Sequence, residues 1–172
     1  MSDAIAHYYG EATATCVARH HNETPTAWVV RQGGDAGLRC ALFWTSPSDE
    51  VQRGFANHDE ATRDAAYGVA LVSAEVHLGL VALRRAQGRS GADYYLVPAN
   101  SRVSSGAELD LDRDDLVRLE VSGIDHDDEA KLWSRLRMKV KQTESASSPF
   151  PALAGVVGFR TGTTLFALPE AG

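Results

Sequence analysis

Between Val117 and Ser122 the chain alternates without exception: Val117, Leu119 and Val121 are apolar, while Arg118, Glu120 and Ser122 are polar. A period of two belongs to a β-strand, whose successive side chains leave on opposite faces. The strand must lay its apolar face on a core, so the chain has to build a sheet covered on at least one side. Gly123 ends the run. Asp125 then caps a helix reaching to about Thr143, with Asp127, Asp128 and Glu129 favoured at its positive end. Leu132, Trp133, Leu136 and Val140 form the apolar stripe of that helix.

Residues 2 to about 20 carry Ile5, Tyr8, Tyr9, Ala12 and Cys16 at near-helical spacing. Ala27–Gln32 and Leu38–Thr45 flank Gly33-Gly34-Asp35 and predict a hairpin. Pro47 to Asn57 is a loop or a short helix. From about Asp59 to Leu78 runs the longest helical pattern, with Asn57 or Asp59 as its cap and Gly79 as its stop. Ala65, Val69, Val72 and Val76 mark one side of it. Leu80–Arg84 and Ala92–Val97 form a second hairpin around Gly88–Gly91. Pro98 to Asp115 is polar and irregular, and Ser145 to Pro151 is a loop. Ala154–Arg160 and Thr163–Leu168 form a third hairpin turning at Thr161-Gly162. From Asp59 the order is helix, strand, strand, strand, helix, strand: a single α/β (α+β) domain over 1–172, with residues 1–57 added to a core over 58–168.

The 172 residues carry 17 basic and 23 acidic side chains, a net charge of −6 that argues against coating nucleic acid with the whole surface. The charge is segregated, however. Lys131, Arg135, Arg137, Lys139 and Lys141 lie within one acid-free stretch, Arg84, Arg85 and Arg89 form a second basic group, and acids crowd Glu108 to Asp115. No apolar run approaches the roughly 20 residues of a membrane helix, and Met1 to Gly10 lacks a signal-peptide pattern. A cytoplasmic protein without membrane contact is expected. Cys16 and Cys40 make no disulfide framework; Cys16 faces the core, and His20 and His21 are solvated near a helix end. His58-Asp59-Glu60 and His126 to Glu129 read as helix starts rather than metal clusters. Trp28, Trp44 and Trp133 belong to core or interface.

Three acids stand where acids are least expected. Glu75 shares a helical stripe with Gly68, Leu71 and Leu78, where an unpaired carboxylate is costly. Asp93 opens an aromatic strand, and Glu120 sits within the alternating one. Neighbouring strands lie about 4.8 Å apart, so Asp93 and Glu120 converge if their faces agree. Converging carboxylates suit Mg²⁺, which takes a few hard oxygen ligands and completes its octahedron with water and phosphate.

The element order, the helix acid Glu75, the Gly91-Ala92-Asp93 strand start and the Glu120-Val121-Ser122 strand together resemble the PD-(D/E)xK, restriction-endonuclease-like nuclease superfamily. The resemblance spans roughly Asp59 to Leu168. It implies a mixed central sheet flanked by helices, with Glu75, Asp93 and Glu120 holding Mg²⁺ or Mn²⁺ for phosphodiester hydrolysis, most simply of DNA in a bacterial defence or DNA-processing setting. Ser122 departs from the family's pattern, which places a lysine there. Lys139, beside the Leu132/Leu136 stripe, then becomes the candidate basic group, with Lys131 as the other. Arg84, Arg85, Arg135 and Lys141 are candidate phosphate contacts. The alternative is a catalytically inactive relative acting as a binding or assembly subunit, with the N-terminal helix and Trp-bearing hairpin as its surface for a partner or a second copy.

Overall fold

The computed structural model describes residues 2–86, 92–101, 114–145 and 148–168. The expected turn at Gly88–Gly91, Arg89 with it, and most of the irregular stretch between Pro98 and Asp115 lie outside the described residues. Four helices and seven strands follow in the order α1 (Asp3–Ala18), β1 (Thr26–Gln32), β2 (Leu38–Leu42), α2 (Asp49–Gly54), α3 (His58–Leu78), β3 (Leu80–Arg85), β4 (Tyr94–Pro98), β5 (Val117–Ile124), α4 (Glu129–Ser145), β6 (Ala152–Gly158) and β7 (Thr163–Ala167). The expected run of helix, three strands, helix and strand is α3 to β6.

All seven strands form one mixed sheet in the order β2-β1-β7-β6-β5-β4-β3. β3, β4 and β5 are an antiparallel meander, and α4 carries the chain across to β6, which lies parallel to β5. β7 turns back antiparallel on β6, and β1 joins β7 in parallel. The N-terminal hairpin therefore extends the same sheet rather than standing apart from it.

Two apolar layers cover the sheet. Leu119, Val121, Leu153 and Val157 pack with α1 and α3, while Ala154, Val156 and Leu165 pack under Leu132 and Leu136 of α4. Both faces of the central strands are thus covered, which is why the polar face of β5 is not a solvent face: Arg118 is buried.

Helix α3 is held where the sequence suggests. The Asn57 side chain accepts from the Glu60 amide, and Gly79 closes the helix with a left-handed φ of 67°. Gly68 lets α1 approach, since a Cβ there would stand 3.0 Å from the Tyr9 Cβ. At Gly123 a Cβ would meet the Thr62 carbonyl at 2.6 Å, so the first turns of α3 seat directly on the end of β5. Small residues make this possible. Ala61, Ala65, Ala66, Ala70 and Ala74 are fully or almost fully buried between α1 and the sheet.

The apolar stripe of α3 differs from expectation. Ala65 and Val69 are buried, but Val72 and Val76 are exposed. Helix α1 runs antiparallel to α3, with Thr13 bonded to the Ala65 carbonyl and Tyr9 at Gly68. By that spacing the cover ends near Val72. Among the described residues no helix is long and apolar enough to cross a membrane.

Candidate functional site

The polar face of β5 meets α4 residue by residue. Arg135 Nη1 is 3.5 Å from Ser122 Oγ, Lys139 Nζ donates to Glu120 Oε1 at 2.7 Å, and Arg118 Nη2 reaches the Thr143 carbonyl at 3.5 Å. Four residues of helix rise about 6 Å and two residues of strand about 6.6 Å. A row at 135, 139 and 143 therefore stays in step with a row at 122, 120 and 118 on an antiparallel course. The Lys139–Glu120 pair is partly sheltered, with side chains 16% and 20% exposed.

Asp93 stands where β4 and β5 part. The ladder between them covers Tyr94↔Leu119 to Leu96↔Val117, while β5 continues to Ile124. Beyond that point the Val121 amide has no β4 partner, and Asp93 supplies one: its Oδ2 accepts from Val121 N at 2.7 Å. Its Oδ1 accepts from the Tyr67 hydroxyl of α3 at 2.8 Å. Burial first, and then this bond to a carboxylate, push the Tyr67 phenol well above its ordinary value. Arg85 lies over the Tyr67 ring at 5.4 Å.

The three expected acids are not brought together. Glu75 is exposed on the outer side of α3, which removes the cost that made it conspicuous. The buried acid of that helix is Asp64, whose Oδ2 accepts from the Tyr8 hydroxyl at 2.6 Å while Arg63 Nε stands 3.2 Å from Oδ1. That bond, more than burial, pushes the Tyr8 phenol up to about 12. Asp93 and Glu120 occupy neighbouring positions on adjacent strands, but Asp93 is engaged by α3 and Glu120 by α4, from opposite faces.

The basic candidates divide in the same way. Lys139 is at Glu120. Lys131 is at the helix start, donating to the His126 carbonyl at 3.1 Å and pairing with Asp128 at 3.7 Å. Arg135 and Lys141 are exposed on α4. Arg84 and Arg85 lie on the other side of the molecule, where with Tyr8, Arg63 and Tyr94 they line an open cleft of about 660 Å³.

The acids between β5 and α4 have three different duties. Only Asp128 caps the helix, accepting from the Lys131 amide at 2.8 Å. Asp127 is fully buried and accepts from the Arg160 amide at 2.7 Å and from Thr161, bracing the β6–β7 turn. Asp125, expected as the cap, instead binds His20 at 2.8 Å and Arg19 at 3.2 Å. Nor are the two histidines solvated: His21 Nε2 is 2.8 Å from the Phe159 carbonyl, and His20 is 6% exposed. Burial acts to raise the Asp125 carboxyl, but the His20 hydrogen bond and the nearby Arg19 and His126 charges outweigh it and hold it below the usual range. The sequence signal was an excess of acids, because one cap needs one acceptor and this turn carries Asp125, Asp127 and Asp128.

Two donor sets follow. Asp93 and Glu120 offer only oxygens, and each Asp93 oxygen accepts one hydrogen bond and so keeps a lone pair. Oxygen ligands suit a hard cation holding most of its own waters, but the two carboxylates face opposite sides of the sheet. His20, Asp125 and His126 are the one group of three or more His, Cys, Asp or Glu among the described residues whose ligand atoms lie within 4.8 Å of one another. Comparison with protein families, curated proteins and solved structures finds no match to this chain.

Proposed function

We propose that the parting of β4 and β5 is the site of a divalent-metal-dependent phosphodiesterase with a restriction-endonuclease-like core, acting on nucleic acid, most simply DNA. The observation that carries this reading is the ion pair of Lys139 with Glu120, 2.7 Å long, one position beyond the Leu119–Tyr94 pair that Asp93 precedes. It supplies from α4 the basic group that Ser122 withholds from the strand. The α3-to-β6 order and the helices on opposite faces of the sheet support the same core.

Glu120 would hold Mg²⁺ or Mn²⁺, joined by Asp93 once its carboxylate swings from the Tyr67 hydroxyl and the Val121 amide toward the α4 face. When bound, the ion supplies positive charge to the phosphate and lowers the pKa of a coordinated water. Glu120 and Lys139 hold each other in place, and the Lys139 ammonium offers donors to the attacking water or to a phosphate oxygen. Arg135 and Lys141, exposed along the same helix, give the phosphate backbone its contacts. Glu75 has no part.

The test is cleavage of DNA by the purified protein in Mg²⁺ or Mn²⁺, with Glu120→Gln and Lys139→Met as variants of near-constant volume. The expected result is chelator-sensitive cleavage that falls about 100-fold or more in each variant, the scale of a lost transition-state contact. Cleavage unchanged in both would refute the assignment.

A second reading, a binding or assembly subunit without catalysis, is favoured by the engagement of both Asp93 oxygens. The edge strand β2, exposed along most of its length with Phe43 76% exposed beside it, gives that reading a surface for a partner. Wild-type protein that stays folded, forms an oligomer and never cleaves in Mn²⁺ would select it.

A further inference from the structure

We propose a second metal site, for a borderline divalent ion of the Zn²⁺ type, formed by His20, Asp125 and His126 where the end of α1 meets the turn between β5 and α4. His20 Nε2 is 2.8 Å from Asp125 Oδ1, His126 Nε2 is 3.8 Å from Asp125 Oδ2, and the two imidazole rings stand edge to face with centroids 4.8 Å apart. Two ligand atoms about 2.0–2.1 Å from a tetrahedral ion stand roughly 3.4 Å apart. One ligand atom from each residue lies within 4.8 Å of the other two, so rotation of the exposed His126 has to draw the set in to hold an ion. Two nitrogens and one carboxylate favour Zn²⁺, Ni²⁺ or Cu²⁺ over Mg²⁺, which separates this site chemically from the oxygen-only pair at Asp93 and Glu120.

The supports are unequal in stiffness. The His20 side chain is 6% exposed and Asp125 is 16% exposed, whereas His126 is 75% exposed. Two ligands are thus fixed by packing and the third closes from solvent, leaving the fourth position to water. The site lies at the carboxyl end of β5, beside the end of its parallel neighbour β6, where the Phe159 carbonyl holds His21. Cys16 is buried nearby, where burial pushes its thiol up to about 11, and it stands outside this group of ligand atoms.

Arg19 is the built-in competitor. Its guanidinium is 3.2 Å from Asp125 Oδ2, the oxygen nearer to His126, and its charge opposes a cation. Ion and arginine therefore share one carboxylate, and the ion would tie the end of α1 to the β5–α4 turn in place of Arg19.

The experiment is titration of the untagged full chain with Zn²⁺ by calorimetry, with Co²⁺ as a spectroscopic probe of tetrahedral geometry. One equivalent should bind, excess Mg²⁺ should not displace it, and the melting temperature should rise with free Zn²⁺. His126→Ala, an exposed substitution that leaves packing intact, should weaken Zn²⁺ at least about tenfold, since even partners outside the ligand shell cost 10–100-fold. Arg19→Gln should tighten it. Opposite effects from these two variants are the signature of this site. No binding to folded protein, or affinity unmoved by both His126→Ala and Asp125→Asn, would overturn it.

Discussion

Replacing Asp93 by alanine takes the acceptor from two donors at once, the Tyr67 hydroxyl at 2.8 Å and the Val121 amide at 2.7 Å. Both residues are buried, 6% and 7% exposed, so neither donor regains water easily. A hydrogen bond to a charged acceptor contributes about 1.5–3 kcal/mol, and an orphaned buried donor carries a desolvation penalty of similar size. The loss expected for Asp93→Ala is therefore roughly 3–5 kcal/mol, a large share of a domain's 5–15 kcal/mol. For a chain of this length each 1 kcal/mol moves the melting temperature by about 2–4 °C, so a fall of roughly 10 °C is expected. Asp93→Asn keeps one acceptor oxygen and should lose about half as much. Urea unfolding followed by circular dichroism reads both variants. An unfolding free energy for Asp93→Ala within about 0.5 kcal/mol of wild type would refute the assignment of Asp93 as the brace of the β4–β5 parting. The outcome also governs how activity is read: any cleavage lost in Asp93→Ala has to be measured where the variant is still folded.

Three further outcomes follow from the same geometry. A double-mutant cycle of Glu120→Gln and Lys139→Met should give a coupling of roughly 1–2 kcal/mol, between the values of exposed and fully buried pairs, and a coupling near zero would mean that the pair is not formed in solution. Glu75→Ala should leave stability within about 0.5 kcal/mol of wild type, as for other exposed sites, and should leave divalent-metal affinity unchanged; loss of either returns Glu75 to the site. For Asp125 the folded carboxyl lies below its unfolded value, so its stabilisation is present above the unfolded pKa of about 3.9 and is lost as pH falls through the lower folded value. Asp125→Asn should thus be destabilised at pH 7, with the difference from wild type shrinking below about pH 4 in urea titrations at stepped pH; a pH-independent difference would count against it.

Much of the fold was legible because local signals agreed with one another. The switch from period two to helical spacing placed β5 and α4, and the Asn57 cap and the Gly79 stop set the ends of α3 to within a residue. Long-range pairing was not legible. Nothing in Thr26–Gln32 announces that β1 will lie parallel to β7, because that contact joins segments far apart in sequence and rests on where β6 places β7. The stripe on α3 misled for a related reason. Val72 and Val76 are the more hydrophobic residues, yet alanines fill the interface, because smallness is what lets α1 and the sheet come close. Apolar spacing identifies a helix, but the neighbours decide which of its faces are covered.

The site shows the same limit more sharply. Strand pairing puts Asp93 and Glu120 at adjacent positions, but position on a strand does not fix where a carboxylate turns when it lies just outside the ladder. Asp93 is one residue short of β4, so its side chain is free of the pleat's alternation and folds onto the donor that β4 leaves unpaired. Glu120 lies within the strand, keeps the alternation, and is delivered to α4 at the height of Lys139. The sequence pointed to Lys139 only through the family resemblance and its place beside the Leu132/Leu136 stripe; the match between a four-residue helix step and a two-residue strand step shows once α4 lies on β5. A metal at this point would have to draw on Asp93 across the plane of the sheet from Glu120. The stability of Asp93→Ala and the activity of Glu120→Gln therefore answer different questions about one location.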